Sequence, residues 1–69
     1  MKNVKLKNNL KRIRTEKNIS LEDLAAKVNI SVKELQKIES NGSNPSIIVS
    51  MKIARSLGMQ VEDIFTINE

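Results

Sequence analysis

Apolar residues recur at helical spacing in successive short stretches of the chain, and polar turns separate these stretches. The first stretch, built on Leu6, Leu10 and Ile13, predicts a helix over roughly residues 7–17. The inner faces of the next three predicted helices consist of Leu24, Ala25 and Val28, then Leu35 and Ile38, and then Ile47, Met51, Ile53, Ala54 and Leu57. A short fifth helix is predicted at about 61–64. The pattern predicts an all-α, five-helix bundle that forms a single domain over residues 1–69.

Ser and Asn residues mark the predicted helix ends. Ser20 and Ser31 stand just before the second and third helices, where a side-chain hydroxyl can cap a free backbone N–H group. Ser31 and Glu34 match the capping-box pattern, in which each side chain accepts the other's backbone N–H. Asn29 lies between these two helices, and asparagine tolerates the left-handed backbone conformation of a tight turn. The unit therefore has the spacing of a helix-turn-helix.

The last residues of the chain have a different period. In the segment FTINE, Phe65 and Ile67 alternate with polar residues. Alternation is typical of a strand, and we expect these residues to pair with a second short strand at about residues 3–6.

Composition argues against most catalytic and metal-binding functions. The chain has no Cys, His, Trp or Tyr, and Phe65 is its only aromatic residue. Disulfides, thiolate metal sites and histidine chemistry are therefore excluded. Two carboxylate pairs, Glu22–Asp23 and Glu62–Asp63, lie in the first turns of predicted helices, where the helix dipole favours acidic residues. We therefore expect no enzymatic activity, no metal, no cofactor and no small-molecule ligand.

Charge is unevenly distributed along the chain. Residues 1–18 contain seven basic residues and only Glu16 as an acid, whereas the remainder contains five basic and seven acidic residues. A basic segment suits phosphate contact, although a solvated lysine face has the same composition. The longest uninterrupted apolar run, residues 47–49, is far too short to span a membrane. A cytoplasmic protein without a membrane partner is expected.

Four stretches in this order resemble the Cro/cI-type, or XRE, family of phage-repressor-like helix-turn-helix proteins. They are LKRIRTEKNIS, LEDLAAKVNIS, LQKIESNGSNPS and KIARSLGMQVEDIF, and together they cover about residues 6–65. The chain is similar in length to the short stand-alone members of the family. The resemblance implies a lambda-repressor-like fold and a sequence-specific transcriptional regulator, usually a repressor. Such proteins bind palindromic double-stranded operator DNA as homodimers and insert the third helix, here about residues 31–40, into the major groove.

The resemblance also implies roles for individual residues. Arg14 and Glu39 match the positions of a structural ion pair between the first and third helices. Lys33 and Gln36 match base-reading positions, with lysine suited to guanine and glutamine to adenine. The full set of expected DNA contacts is Ser20, Leu21, Lys27, Ser31, Val32, Lys33, Gln36, Lys37, Asn41, Ser43 and Asn44. Val32 is expected to meet only a thymine methyl, and Lys37 a phosphate or a base.

Some positions depart from the family pattern. Leu21 stands where the family usually has a glutamine, and the loop after the third helix, residues 41–44, has no charge. The third helix has a net charge of zero, because Lys33 and Lys37 are offset by Glu34 and Glu39. We therefore expect modest, salt-sensitive DNA affinity.

The surface away from the DNA is expected to form a homodimer. Ile48 stands where the family usually has a polar residue, and Met59, Phe65 and Ile67 are further candidate contacts. The tail residues could equally close the core of the monomer. An alternative function uses the same fold as a protein-interaction module, antirepressor-like or antitoxin-like, with a weakened DNA-binding face.

Overall fold

The computed structural model describes residues 5–68, and it contains five helices and a two-stranded sheet within that range. In chain order the elements are β1 (Lys5–Asn8), α1 (Leu10–Glu16), α2 (Leu21–Val28), α3 (Val32–Glu39), α4 (Ile47–Leu57), α5 (Val61–Ile64) and β2 (Phe65–Asn68). The predicted five-helix bundle is confirmed. Residues 3 and 4 of the predicted first strand lie outside the described residues.

Serine side chains begin three of the helices. The hydroxyls of Ser20, Ser31 and Ser46 accept hydrogen bonds from the third residue of α2, α3 and α4 at 3.0, 3.0 and 3.1 Å respectively. Each bond satisfies a backbone N–H group that has no partner within the helix, which fixes the residue at which the helix starts.

A residue in the left-handed backbone conformation follows the end of each of the first four helices. Asn18, Asn29 and Asn41 have φ values of 57°, 60° and 62°, and Gly58 has a φ of 68°. Asparagine and glycine tolerate this conformation best, since the left-handed form places the Cβ atom of other residues too close to a carbonyl oxygen. The prediction that Asn29 adopts this conformation in the turn is confirmed.

The two strands pair antiparallel, with Lys5 opposite Asn68 and Asn8 opposite Phe65. The predicted start of the first helix at residue 7 is therefore wrong, because residues 5–8 are extended and α1 begins at Leu10. Leu6, which falls at helical spacing before Leu10, packs against the core from the strand instead. Residues 5 and 6 of the predicted strand at residues 3–6 are extended, and β1 continues for two residues beyond the predicted end.

A single hydrophobic core joins the five helices. Its buried apolar residues are Leu10, Ile13, Leu24, Ala25, Val28, Leu35, Ile38, Ile53, Ala54, Leu57, Ile64 and Phe65. Two predicted core residues are wrong, since Ile47 and Met51 are both exposed. The buried face of α4 follows Ser50, Ile53, Ala54 and Leu57. Met51 points about 100° away from Ser50 on the helix. Ile47, the first residue of α4, is 69% exposed.

Phe65 does not lie on the surface, as its expected role in the dimer requires. It is 5% exposed and belongs to the core, so it is not available as a dimer contact. Its burial corresponds to the other expectation, that the tail closes the core of the monomer. None of the helices described, within residues 5–68, is long and apolar enough to cross a membrane.

Candidate nucleic-acid interface

A bidentate ion pair holds α3 against α1. Arg14 Nε and Nη2 donate to the two carboxylate oxygens of Glu39 at 2.7 and 3.2 Å, and Arg14 Nη1 donates to the Ile19 carbonyl at 2.9 Å. The side chains of the pair are only 13% and 7% exposed. The hydrogen bonds to Glu39 raise the pKa of Arg14 and outweigh the opposing effect of burial, while the charges of Glu39 and Glu22 act in the same direction. Glu39 is thus the partner of Arg14, as the resemblance implies.

The opposite face of α3 is exposed. Leu35 and Ile38 are buried, whereas Lys33, Gln36 and Lys37 lie on the solvent side at spacings of three and four residues. Residues at these spacings share one helix face. The core and the ion pair therefore orient α3 so that two lysines and one amide point outward together.

Two of the expected contact residues also cap helices. The hydroxyls of Ser20 and Ser31 use an acceptor position for the cap, which leaves the O–H proton available for a phosphate oxygen. The predicted capping box at α3 is only half formed, because the Glu34 carboxylate does not accept the Ser31 N–H. Glu34 is exposed and does not hold the start of the helix.

The loop after α3 is tied to β1 by hydrogen bonds that sequence reasoning missed. Asn8 Nδ2 donates to the Ile38 carbonyl at 2.7 Å and to Asn41 Oδ1 at 2.9 Å, and Asn8 Oδ1 accepts from the Leu10 N–H at 3.0 Å. Asn44 Oδ1 accepts from the Leu6 N–H at 3.4 Å. No periodic signal singles out Asn8, because its partners in α3 and in the loop lie about thirty residues further along the chain.

The same loop contains three of the expected DNA contacts, Asn41, Ser43 and Asn44. The Ser43 hydroxyl is buried and has no hydrogen-bond partner. In this conformation the hydroxyl would need a local rearrangement to reach a phosphate, and the predicted DNA contact of Ser43 remains a prediction. Asn41 and Asn44 are exposed, and each keeps its amide N–H groups free because only the Oδ1 atom is engaged.

An open groove of about 430 Å³ runs between the start of α2 and the side of α3. We call it the α2–α3 groove, and it is lined by Lys11, Arg14, Leu21, Gln36, Glu39 and Ser40. Leu21 and Val32 are half-buried and pack partly against the core, while Lys27 is exposed on α2. Lys11 and Ser40 were not among the expected contacts, and only the folded arrangement brings them beside Gln36.

Comparison with protein families decides the identity of this fold. Residues 10–64, which include all five helices, match the family model described as Helix-turn-helix (HTH_3). The chain belongs to this XRE-type helix-turn-helix family.

Relatives of the helix-turn-helix protein are known from sequence and from solved structures. It is 40% identical over 60 residues to an uncharacterised HTH-type transcriptional regulator of Methanocaldococcus jannaschii, covering 87% of this chain and 91% of the relative. It is 37% identical to SinR from Bacillus subtilis, a master regulator for biofilm formation that was crystallised in complex with DNA. That match has a TM-score of 0.71 and covers 77% of this chain and 86% of the SinR chain.

A third comparison is with the restriction-modification controller protein C.AhdI from Aeromonas hydrophila. The identity is 26% and the TM-score is 0.74, and the match covers 78% of this chain and 82% of the other. These neighbours confirm the lambda-repressor-like fold that the resemblance implied for the helix-turn-helix protein.

A second groove, which has a largely apolar lining, is formed by α4 and by the residues that lead into α5. It also has a volume of about 430 Å³, and we call it the α4–α5 groove. Its lining consists of Ile48, Met51, Lys52, Ala54, Arg55, Met59, Gln60 and Val61. Ile48 is 63% exposed and Met59 is half-buried, so both candidate dimer contacts border this groove. Ile67 is 61% exposed, but it lies on β2 and does not line the groove.

Proposed function

We propose that this helix-turn-helix protein is a transcriptional regulator that binds double-stranded DNA with α3 in the major groove. The observation that carries the proposal is the exposed face of α3, where Lys33, Gln36 and Lys37 point away from the core together. A major groove about 12 Å wide admits one α-helix. Family membership and the likeness to SinR, which was crystallised with DNA, support the same function.

Each group on this face has chemistry suited to DNA. Lys33 and Gln36 are proposed to contact base edges, with the lysine donating to guanine and the glutamine pairing with adenine N6 and N7. Lys37, Lys27 and the capping hydroxyls of Ser20 and Ser31 are proposed to contact phosphates. Arg14 is left out of this set because its side chain is only 13% exposed and donates to Glu39 and to the Ile19 carbonyl.

The bound form is proposed to be a homodimer on a palindromic site. The exposed side chains of Ile47, Ile48 and Met51 form an apolar surface beside the α4–α5 groove. Lys52 and Arg55 border this groove, and the acidic residue Glu62 is exposed on the adjoining α5. In a two-fold symmetric dimer, the same apolar surface of each copy would be buried against the other. The proposed partner at this surface is therefore a second copy of the chain.

Repression is the proposed direction of regulation, and it rests on the resemblance to phage repressors. A dimer that occupies an operator would block access of the transcription machinery to that DNA. The protein is proposed to act in the cytoplasm, where the DNA that it regulates is located.

The test is selection of bound sequences from a mixed duplex pool at low and moderate salt, followed by sequencing. We expect enrichment of a palindromic motif.

Gln36→Ala is expected to relax the base preference at one position per half-site. Lys37→Ala should weaken binding to all sequences, and it should lower by about one unit the slope of log affinity against log salt concentration. Lys7→Ala removes the same charge from β1, outside the α3 face and the α4–α5 groove, and serves as the control. A pool that is not retained at low salt would contradict DNA binding.

A second candidate function is a protein-interaction module. The exposed apolar surface around Ile48 and the zero net charge of α3 favour it. This function predicts that a folded Lys33→Ala/Lys37→Ala variant keeps its full activity. Loss of DNA binding and of regulation in that variant would exclude it.

A further inference from the structure

We propose that Leu21 and Gln36 together read one A·T base pair, with Leu21 contacting the thymine methyl group while Gln36 pairs with the adenine. This inference rests on the proposed function, because it assigns a specificity to the face that binds DNA. Leu21 is otherwise a departure from the glutamine that the family usually has at the start of α2, and this role gives its apolar side chain a use.

The first step of the argument is the position of Leu21. It is the first residue of α2, and it packs only partly against the core. The rest of its surface lines the α2–α3 groove together with Gln36 of α3. An apolar wall from one helix and a free amide from the next therefore border the same space.

The second step is the state of the other groups in this groove. The Glu39 carboxylate accepts from Arg14 with both oxygens, and Arg14 also donates to the Ile19 carbonyl. The Ser40 hydroxyl donates to the Lys37 carbonyl at 3.1 Å. The two groups left to meet a base edge are then the Leu21 side chain and the Gln36 amide, with Lys11 on α1 as a cation for the adjoining phosphate.

The third step is the chemistry of the base pairs. In the major groove, thymine presents a C5-methyl group and adenine presents the N7 acceptor and the N6 amino donor. A glutamine amide can bond both adenine atoms, and an aliphatic side chain gains from contact with the methyl. A G·C pair has no methyl group and would place the cytosine amino group against Leu21, where its hydrogen bond to water would be lost.

The experiment uses the duplex that binds most tightly in the selection. Its thymines are replaced by deoxyuridine one position at a time, and each replacement removes only the methyl group. With the unaltered protein, we expect about four-fold weaker binding when one thymine of a single half-site is replaced, since one buried methyl contributes about that factor. That thymine should belong to the base pair whose preference is relaxed by Gln36→Ala. Fluorescence anisotropy of labelled duplexes measures both effects.

Variants then assign the contact to a side chain. Leu21→Ala should bind the thymine and deoxyuridine duplexes equally. Val32 lies one turn before Gln36 and is the alternative apolar contact for the methyl group. Val32→Ala should retain the four-fold difference, because the contact is assigned to Leu21. Circular dichroism confirms that both variants are folded. The deoxyuridine measurement itself uses the unaltered protein and does not depend on any variant folding.

The outcomes separate this inference from the proposed function. Binding of a defined motif with no deoxyuridine effect overturns the role of Leu21 and leaves DNA binding intact. A deoxyuridine effect that disappears in Val32→Ala and persists in Leu21→Ala also overturns it. Failure to bind any duplex overturns the proposed function, and this inference with it.

Discussion

Glu39 places a negative charge on the helix that is proposed to enter the major groove, and Arg14 compensates it. Both side chains are largely buried, and they are joined by two hydrogen bonds. A buried pair of this kind adds little net stability compared with apolar residues, but loss of one partner leaves an unpaired buried charge. The pair therefore fixes the position of α3 and removes a charge that would repel phosphate.

Arg14→Met is expected to lower the free energy of unfolding by about 3 kcal/mol, because it leaves the Glu39 carboxylate buried without a partner. The double variant Arg14→Met/Glu39→Gln should be less destabilised than the two single changes added together. Urea denaturation measures the four stabilities. Additive effects would mean that the two groups do not interact.

The matched control is Arg12→Met. Arg12 pairs with Glu16 at 3.5 Å, but both side chains are 63% exposed. Solvent screens an exposed pair, so the change should alter stability by less than about 0.5 kcal/mol.

Titration of Arg14 should not change the stabilising effect of the Arg14–Glu39 pair across the neutral pH range. The folded state raises the pKa of Arg14. Stability from a raised pKa is fully present below the pKa of the unfolded chain and is lost only as the pH rises through the folded value. For arginine this window is strongly alkaline.

Asn8 is a second residue whose substitution is expected to lower the free energy of unfolding. Asn8→Ala removes one of the donors to the Ile38 carbonyl and the side-chain acceptor of the Leu10 N–H, so it should lower the free energy of unfolding by about 1 to 2 kcal/mol. Asn9→Ala is the control, because the Asn9 side chain makes no capping hydrogen bond to α1. Thermal unfolding compares the two variants, and equal losses would contradict the role of Asn8.

At the scale of the elements, helix ends were the most predictable feature of the chain. Ser20, Ser31 and Asn29 act locally, so a few neighbouring residues determine where a helix starts or stops. The strands were harder to place. Residues 5–8 carry a helical spacing through Leu6 and Leu10, and only pairing with residues 65–68 makes them extended.

Two glycines test the argument about helix ends. Gly58→Ala is expected to cost about 1 kcal/mol or more, because Gly58 has a φ of 68° and an alanine there would be strained. Gly42→Ala should change stability by less than about 0.5 kcal/mol, because its φ is not positive and the added Cβ would meet its nearest atoms at 3.4 Å. Urea denaturation of both variants measures the difference, and similar losses would show that φ is not the cause.

At the scale of the whole molecule, the sequence identified the fold and the outward face of α3, but it predicted the other surfaces less well. The burial of Ser50 in place of Met51 changes which side of α4 is exposed, and residue type alone does not reveal it. Similarly, an alternating tail does not say whether Phe65 or Ile67 is buried. The α2–α3 groove combines residues from three helices, so no local pattern could predict it.

The proposed homodimer makes a prediction at this scale. Ile48→Glu should shift the protein to a monomer by placing a charge in the apolar surface beside the α4–α5 groove. Sedimentation equilibrium gives the mass, and DNA affinity should fall with it. Ile67→Ser on β2 is the matched control, since Ile67 is equally exposed and lies outside the groove. A monomer produced only by Ile67→Ser would place the interface on the sheet.

The pairing of β1 with β2 has a consequence for the order in which the molecule opens. Its partners lie at opposite ends of the described chain, so forming the sheet closes a loop that contains all five helices. The contacts between α2 and α3 are local by comparison, and the sheet buries little beyond Phe65. In hydrogen–deuterium exchange, we expect the strand amides to exchange well before those of α2 and α4, through openings that leave the helical core folded.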